Sequence, residues 1–118
     1  MNILVFGSDS ETDDFIEMID TSQHLLFRKK NYTCESSYDE FLKRLKDSQD
    51  IVFVLENGAR GMESVIATKD ACPHTPIVWF SNDKDFGAQS YRLGVEYFAT
   101  KPITQEHLAL VSKKLRLC

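Results

Sequence analysis

The chain has 118 residues, 42% of them hydrophobic and 27% charged, which places it among ordinary globular chains rather than disordered or fibrous ones. At the usual ~150 residues per domain, residues 1–118 make one domain with no room for a separate catalytic or DNA-binding module. A formal charge of −4 speaks against the basic footprint of a nucleic-acid binder, no apolar run approaches the ~18 residues that cross a membrane, and the start, Met1 to Gly7, lacks the basic and apolar stretches of a signal peptide.

The first element is the continuous run Ile3-Leu4-Val5-Phe6, read as a strand buried on both faces. Ser8-Asp9-Ser10-Glu11 then has the spacing of a capping box, followed by Phe15, Ile16 and Ile19 of a first helix. Tyr32-Thr33-Cys34 is a weaker strand signal. Ser37 to Glu40 repeats the capping box, and Tyr38, Phe41, Leu42 and Leu45 form one helix face. Ile51 to Leu55 is a third strand. Met62, Val65 and Ile66 predict a third helix ending before Cys72-Pro73. Ile77 to Phe80 is a fourth strand, with Asp83 capping a fourth helix through Ala88 and Tyr91. Tyr97-Phe98-Ala99 is a second weak strand, and Thr104 caps a fifth helix carrying Leu108, Val111 and Leu115. Strand and helix thus alternate five times. That order predicts an α/β fold, a doubly wound parallel sheet of five strands, for which the flavodoxin-like order 2-1-3-4-5 is the commonest choice.

In such a sheet ligands bind beyond the carboxyl ends of the strands. Gly7 to Glu11, Glu56 to Gly61, Ser81 to Asp83 and Lys101 are therefore the candidate positions. Asp9 and Glu11 could hold a hard cation such as Mg²⁺, but acids in a first helical turn also meet the positive end of the helix dipole, and that reading is preferred. Gly58-x-x-Gly61 is not a phosphate-binding loop, which needs a following Lys-Ser/Thr, and reads as a plain turn. Ser81 is either a hydroxyl facing the site or an N-cap in competition with Asn82 and Asp83. Lys101 can pair with a carboxylate or a phosphate, and a cis bond to Pro102 can turn it inward.

Taken together, Pro76-Ile77-Val78-Trp79-Phe80-Ser81 and Gly94-Val95-Glu96-Tyr97-Phe98-Ala99-Thr100-Lys101-Pro102-Ile103 resemble the signature of receiver domains of two-component response regulators. The resemblance covers nearly the whole chain, and the short fourth helix is most similar to receivers of the LytTR type. It implies two acids after the first strand and an Asp after the third, which bind Mg²⁺ and accept a phosphoryl group. It also implies a Ser/Thr and a Lys that hold the phosphoryl oxygens, and an aromatic that rotates with phosphorylation. Ser81, Lys101 and Phe98 match the hydroxyl, the lysine and the switch aromatic. The acid pair falls on Gly7 and Ser8, with Asp9 one position late. The acceptor falls on Leu55 when counted from Asp50, or on Glu56 when counted back from Gly61-Met62. Leu55 has no nucleophile. The Glu56 carboxylate is one methylene too long, a shift of ~1.5 Å, and about 1 Å can already cost ~100-fold.

The chain therefore reads as a degenerate, or pseudo-, receiver: not an enzyme, cytoplasmic, with no cofactor beyond weak Mg²⁺ binding. Its output would be protein–protein contact through the fourth helix, fifth strand and fifth helix, by way of Phe86, Tyr91, Arg92, Val95, Tyr97 and His107, with Lys113, Lys114 and Arg116 further along, as a homodimer or with another protein. Neither nucleic acid nor membrane is an expected partner. Glu56 is either a built-in charge beside Lys101 and Ser81 that mimics the active state, or a solvated loop acid. Two other readings stand: a receiver still phosphorylated at Glu56 or Asp9 with Mg²⁺, and a small ligand-binding module. Cys34, Cys72 and Cys118 read as free thiols of a reducing compartment, and His24, His74 and His107 form no cluster.

Overall fold

The apolar runs become strands because each can bury both faces. In the structure, a computed structural model that describes residues 1–21 and 31–116, β1 (Asn2–Phe6), β3 (Ile51–Val54) and β4 (Ile77–Ser81) are buried almost throughout. β2 (Asn31–Glu35) and β5 (Tyr97–Thr100) are only half-buried. All neighbouring strands pair in parallel, in the order β2-β1-β3-β4-β5. This is the expected flavodoxin-like arrangement. The two weak strand signals are its two edges, which need less apolar sequence. His24 and Cys118 lie outside the described residues.

Alternation along the strands divides the core into two layers. Ile3, Val5, Phe53, Val78 and Phe80 face α1 (Asp9–Thr21) and α5 (Gln105–Arg116), which contribute Phe15, Ile19, Leu108 and Val111. Leu4, Phe6, Val52, Val54, Ile77 and Trp79 face the other way. They meet Phe41 of α2 (Tyr38–Arg44), the following Leu45, and Val65 of α3 (Gly58–Ala71). Phe15 is the centre of the first layer, with its ring 4.7 Å from that of Phe53 and 6.2 Å from that of Phe80.

Capping fixes where the helices begin. Ser8 and Ser37 each accept the N–H three residues on, from Glu11 at 3.3 Å and from Glu40 at 3.5 Å. Thr104 and His107 form a reciprocal cap: the threonine hydroxyl accepts the His107 N–H and the Thr104 N–H donates to Nδ1, both at 3.2 Å. Imidazole takes the place that Glu fills in a capping box.

Three boundaries differ from the sequence reading. β3 stops at Val54, so Leu55 lies beyond the strand although it is fully buried. The Gly58-x-x-Gly61 segment is not a plain turn but the first turn of α3, entered through Gly58 at φ +57°, a conformation that glycine adopts without penalty. Asp83 caps a 3-10 turn, Lys84–Phe86, and only then does α4 (Gly87–Arg92) begin.

Because every strand runs the same way, the loops after β1, β3, β4 and β5 meet at one edge of the sheet. Phe15→Ala is expected to lower the unfolding free energy by about 3–5 kcal/mol, read from urea denaturation, since it empties a buried aromatic site between two sheet rings.

Candidate functional site

Lys101 follows β5, and its peptide bond to Pro102 is cis. Its side chain turns inward and is only 17% exposed. A cation so placed must find partners, because burial penalises its charge. It has two. Nζ donates to the Leu55 carbonyl at 2.6 Å and forms an ion pair with Glu11 Oε2. The other Glu11 oxygen accepts from the Ser8 hydroxyl at 3.2 Å. The cap of α1 therefore aims Glu11 at Lys101, and the acid serves both the helix end and the lysine.

Leu55 is the first residue after β3. Its side chain is fully buried in the layer beneath α1 and α5. A Cβ at Gly7 would stand 2.8 Å from the Leu55 Cβ, too close for any side chain to be added without movement. Gly7 and Leu55 fit one another; the resemblance implied a carboxylate at position 7 and, when counted from Asp50, at position 55. Glu56 is half-buried. Among the described residues no hydrogen bond joins its carboxylate to Lys101 or Ser81, and the negative charge that meets Lys101 comes from Glu11 instead.

Three successive residues after β3 are tied to later strands. The Leu55 carbonyl accepts from Lys101. The Glu56 carbonyl accepts from Trp79 Nε1 at 2.9 Å. Asn57 Oδ1 accepts the Asn82 N–H at 2.8 Å. Trp79 and Asn57 are site residues that sequence reasoning did not single out. The signal for Trp79 was present: a lone indole N–H within an apolar run needs an acceptor. Nothing in the local sequence marks Asn57.

Ser81 is fully buried, and its Oγ accepts the Asp83 N–H at 3.2 Å. Asp83 in turn accepts from the Asp85 N–H at 2.9 Å. Of the three candidate caps, Asp83 caps the 3-10 turn, and Ser81 shapes the loop beneath it. Phe98 is half-buried and edge-on to Trp79, with ring centroids 5.2 Å apart at 78°. Phe86 meets the same indole at 5.6 Å.

The expected interaction surface is narrower than the sequence suggests. Tyr91 is 87% exposed and Arg92 is exposed. Phe86 and Val95 instead pack on the Trp79 layer, Tyr97 packs on the other layer beside Phe80, and His107 is half-buried and committed to the α5 cap. Lys113 and Lys114 are exposed; the side chain of Arg116 lies outside the described residues.

The residues present do not fit Mg²⁺. Positions 7 and 8 carry no carboxylate, Leu55 is apolar, Glu11 is engaged by Lys101, and Asp9 lies exposed in the first turn of α1. A hard cation of this kind needs several converging oxygens, and among the described residues no group of three or more His, Cys, Asp or Glu could hold one. Desolvation pushes the Cys34 thiol above its ordinary value, and the charges of Asp13 and Glu35 push it the same way. No helix among the described residues is long and apolar enough to cross a membrane.

Solved structures with the same architecture are receiver domains and their relatives. A response regulator receiver domain protein of Clostridium thermocellum is 21% identical, with TM-score 0.74 over 99% of this chain and 98% of that one. A CheY-like receiver domain protein of Methanospirillum hungatei is 16% identical, with TM-score 0.77 over 98% and 94%. The pilus assembly protein CpaE of Caulobacter crescentus is 19% identical, with TM-score 0.75 over 97% and 92%. No family model matches the sequence, and no curated protein does. The chain has the response-regulator receiver fold; a particular likeness to the LytTR type is not shown by these structures.

Gly7→Ala is expected to destabilise the fold by about 1–3 kcal/mol through overpacking against Leu55, measured by chemical denaturation. A neutral effect would mean that the β1 and β3 ends are not in contact as described.

Proposed function

We propose that this chain is a receiver-fold signalling module that works without aspartyl phosphate and whose output is contact with another protein. One arrangement supports this reading: Leu55, one of the two residues on which the acceptor position can fall, is buried, and Lys101 is engaged by Glu11 and the Leu55 carbonyl. Phosphoryl transfer relies almost wholly on positioning and on a charge clamp. With Leu55 as the acceptor position there is no nucleophile, and the clamp's lysine is paired with Glu11. On this reading the protein has no enzymatic activity, is cytoplasmic, and needs no cofactor.

Glu11 takes the role first considered for Glu56. A permanent carboxylate against Lys101 holds the lysine in one place, and the Trp79 bond to Glu56 holds the acceptor loop in one place. The module then presents a constant surface, and regulation falls to its partners or its abundance. The proposed contact is the α4–β5–α5 face, as a homodimer or with another protein. Tyr91 and Arg92 are its exposed anchors, of the residue types that dominate interface energies. Nucleic acid and membrane are not proposed partners. The receiver fold also occurs in a chain named as a pilus assembly protein, so the fold does not dictate one output.

The decisive experiment treats the protein with acetyl phosphate, and separately with beryllofluoride, each with Mg²⁺. The amides of Ser81 and Lys101 and the emission of Trp79, the single tryptophan, are followed. The expected result is no saturable change. A saturable change would overturn the reading and favour phosphorylation at Glu56 or Asp9. For the surface, Tyr91→Ala and Arg92→Ala are each expected to weaken self-association or partner binding by about tenfold or more, measured by sedimentation or calorimetry.

A further inference from the structure

Beside Lys101, between α1 and the segment leading into α5, lies a cavity of about 280 Å³. Its walls are mainly apolar: Phe15 and Met18 from α1, and Pro102 and Ile103 from the loop after β5. Two carboxylates, Glu11 and Asp14, stand with them. Gln105 Nε2 donates to the Met18 carbonyl at 3.0 Å and to Thr21 Oγ1 at 3.2 Å, bridging α5 to the end of α1. The cavity is a partly open pit on the surface beside the Lys101 ion pair. An apolar hollow of nearly this size with a few placed polar groups is the usual form of a small-molecule site.

We infer that this pit binds a small amphiphilic cation, an ammonium or guanidinium group on a short aliphatic stem. The charges select that chemistry. The lining holds two carboxylates against one ammonium, and the ammonium is turned to Glu11 and the Leu55 carbonyl. Asp14 is exposed and has no ion-pair or hydrogen-bond partner among the described residues. An anionic ligand would meet the Asp14 charge. A neutral apolar ligand would strip water from it without compensation. A guanidinium can instead pair with Asp14 while its stem lies on Met18, Phe15 and Ile103.

The field around the pit favours the same occupant. α1 carries Asp9, Glu11, Asp13, Asp14, Glu17 and Asp20 and no Lys or Arg. Such an asymmetric charge raises the local concentration of cations. The pit also shares Glu11 with the Lys101 ion pair, so an occupant that draws on Glu11 loosens Lys101, and the two sites are coupled in both directions.

Titration of the intact protein with n-butylguanidinium, followed by amide shifts, tests this. Saturable shifts are expected at Asp14, Phe15, Met18 and Ile103, with smaller ones at Leu55 and Lys101. Asp14→Asn is expected to weaken binding about tenfold, the loss of one charge-assisted contact. Asp13→Asn makes the same charge change away from the pit and should leave the affinity within about twofold, as expected of an exposed charge. Absence of saturation overturns the inference. So do equal binding of butyrate or butanol, equal losses in the two variants, and failure of the small cation where a basic peptide binds the same residues.

Discussion

The two bonds of Lys101 Nζ hold the strand-end region together. Lysine loses hydration when it turns inward, and the loss is tolerable only if a carboxylate and further acceptors replace the water. Glu11 and the Leu55 carbonyl do so. One residue after β5 thereby fixes the first turn of α1 and the end of β3, at separations of 90 and 46 residues in sequence. The consequence is chemical as well as structural. With two of its three N–H donors held by the protein and its charge paired with Glu11, Lys101 has less to offer a phosphoryl oxygen than an unpaired lysine.

Trp79 extends the same constraint to the other face of the sheet. Its indole N–H holds the Glu56 carbonyl, and its ring is flanked by Phe86 and Phe98. Space for this is made by Gly61, where an added Cβ would stand 2.3 Å from the Glu56 oxygen and 2.6 Å from Trp79 Nε1. An aromatic at position 98 can reorient only if its neighbours leave room, and packed interiors leave little. The acceptor loop, the α4 turn and the β5 aromatic are therefore joined through one side chain.

The order of elements was legible in the sequence because continuous β-branched and aromatic runs are costly anywhere but inside a parallel sheet. Ser8, Ser37 and Thr104 marked helix starts by the same local chemistry that caps them in the structure. The start of α3 was misread because two glycines three positions apart look like a turn, and only the approach of Trp79 explains Gly61. The site was half legible. The absence of carboxylates at 7, 8 and 55 could be read from the chain. That Gly7 and Leu55 exclude one another could not, since they meet only across paired strands. For Lys101 the sequence offered Glu56 as a neighbouring charge or as a solvated loop acid, and did not point to Glu11 as its partner. The structure pairs it with Glu11, whose side chain reaches over from α1.

The charge of α1 shows why this region is more than a repaired defect. Six acids in thirteen residues make the helix more negative than the whole chain. Those in the first turn are favoured by the helix dipole, but Glu17 and Asp20 lie toward the end where acids are disfavoured, and the last turn holds no basic residue. Tyr32 donates to Asp20 at 3.0 Å and offsets part of this. The helix is therefore held by Phe15, Ile19 and their contacts with the sheet rather than by its own electrostatics. A helix that keeps acids its dipole does not want has put them where solvent or a ligand will meet them. The only inward-facing member of that set, Glu11, is the one that neutralises Lys101. The acid that holds the strand ends in one arrangement thus belongs to the same charged surface that borders the pit.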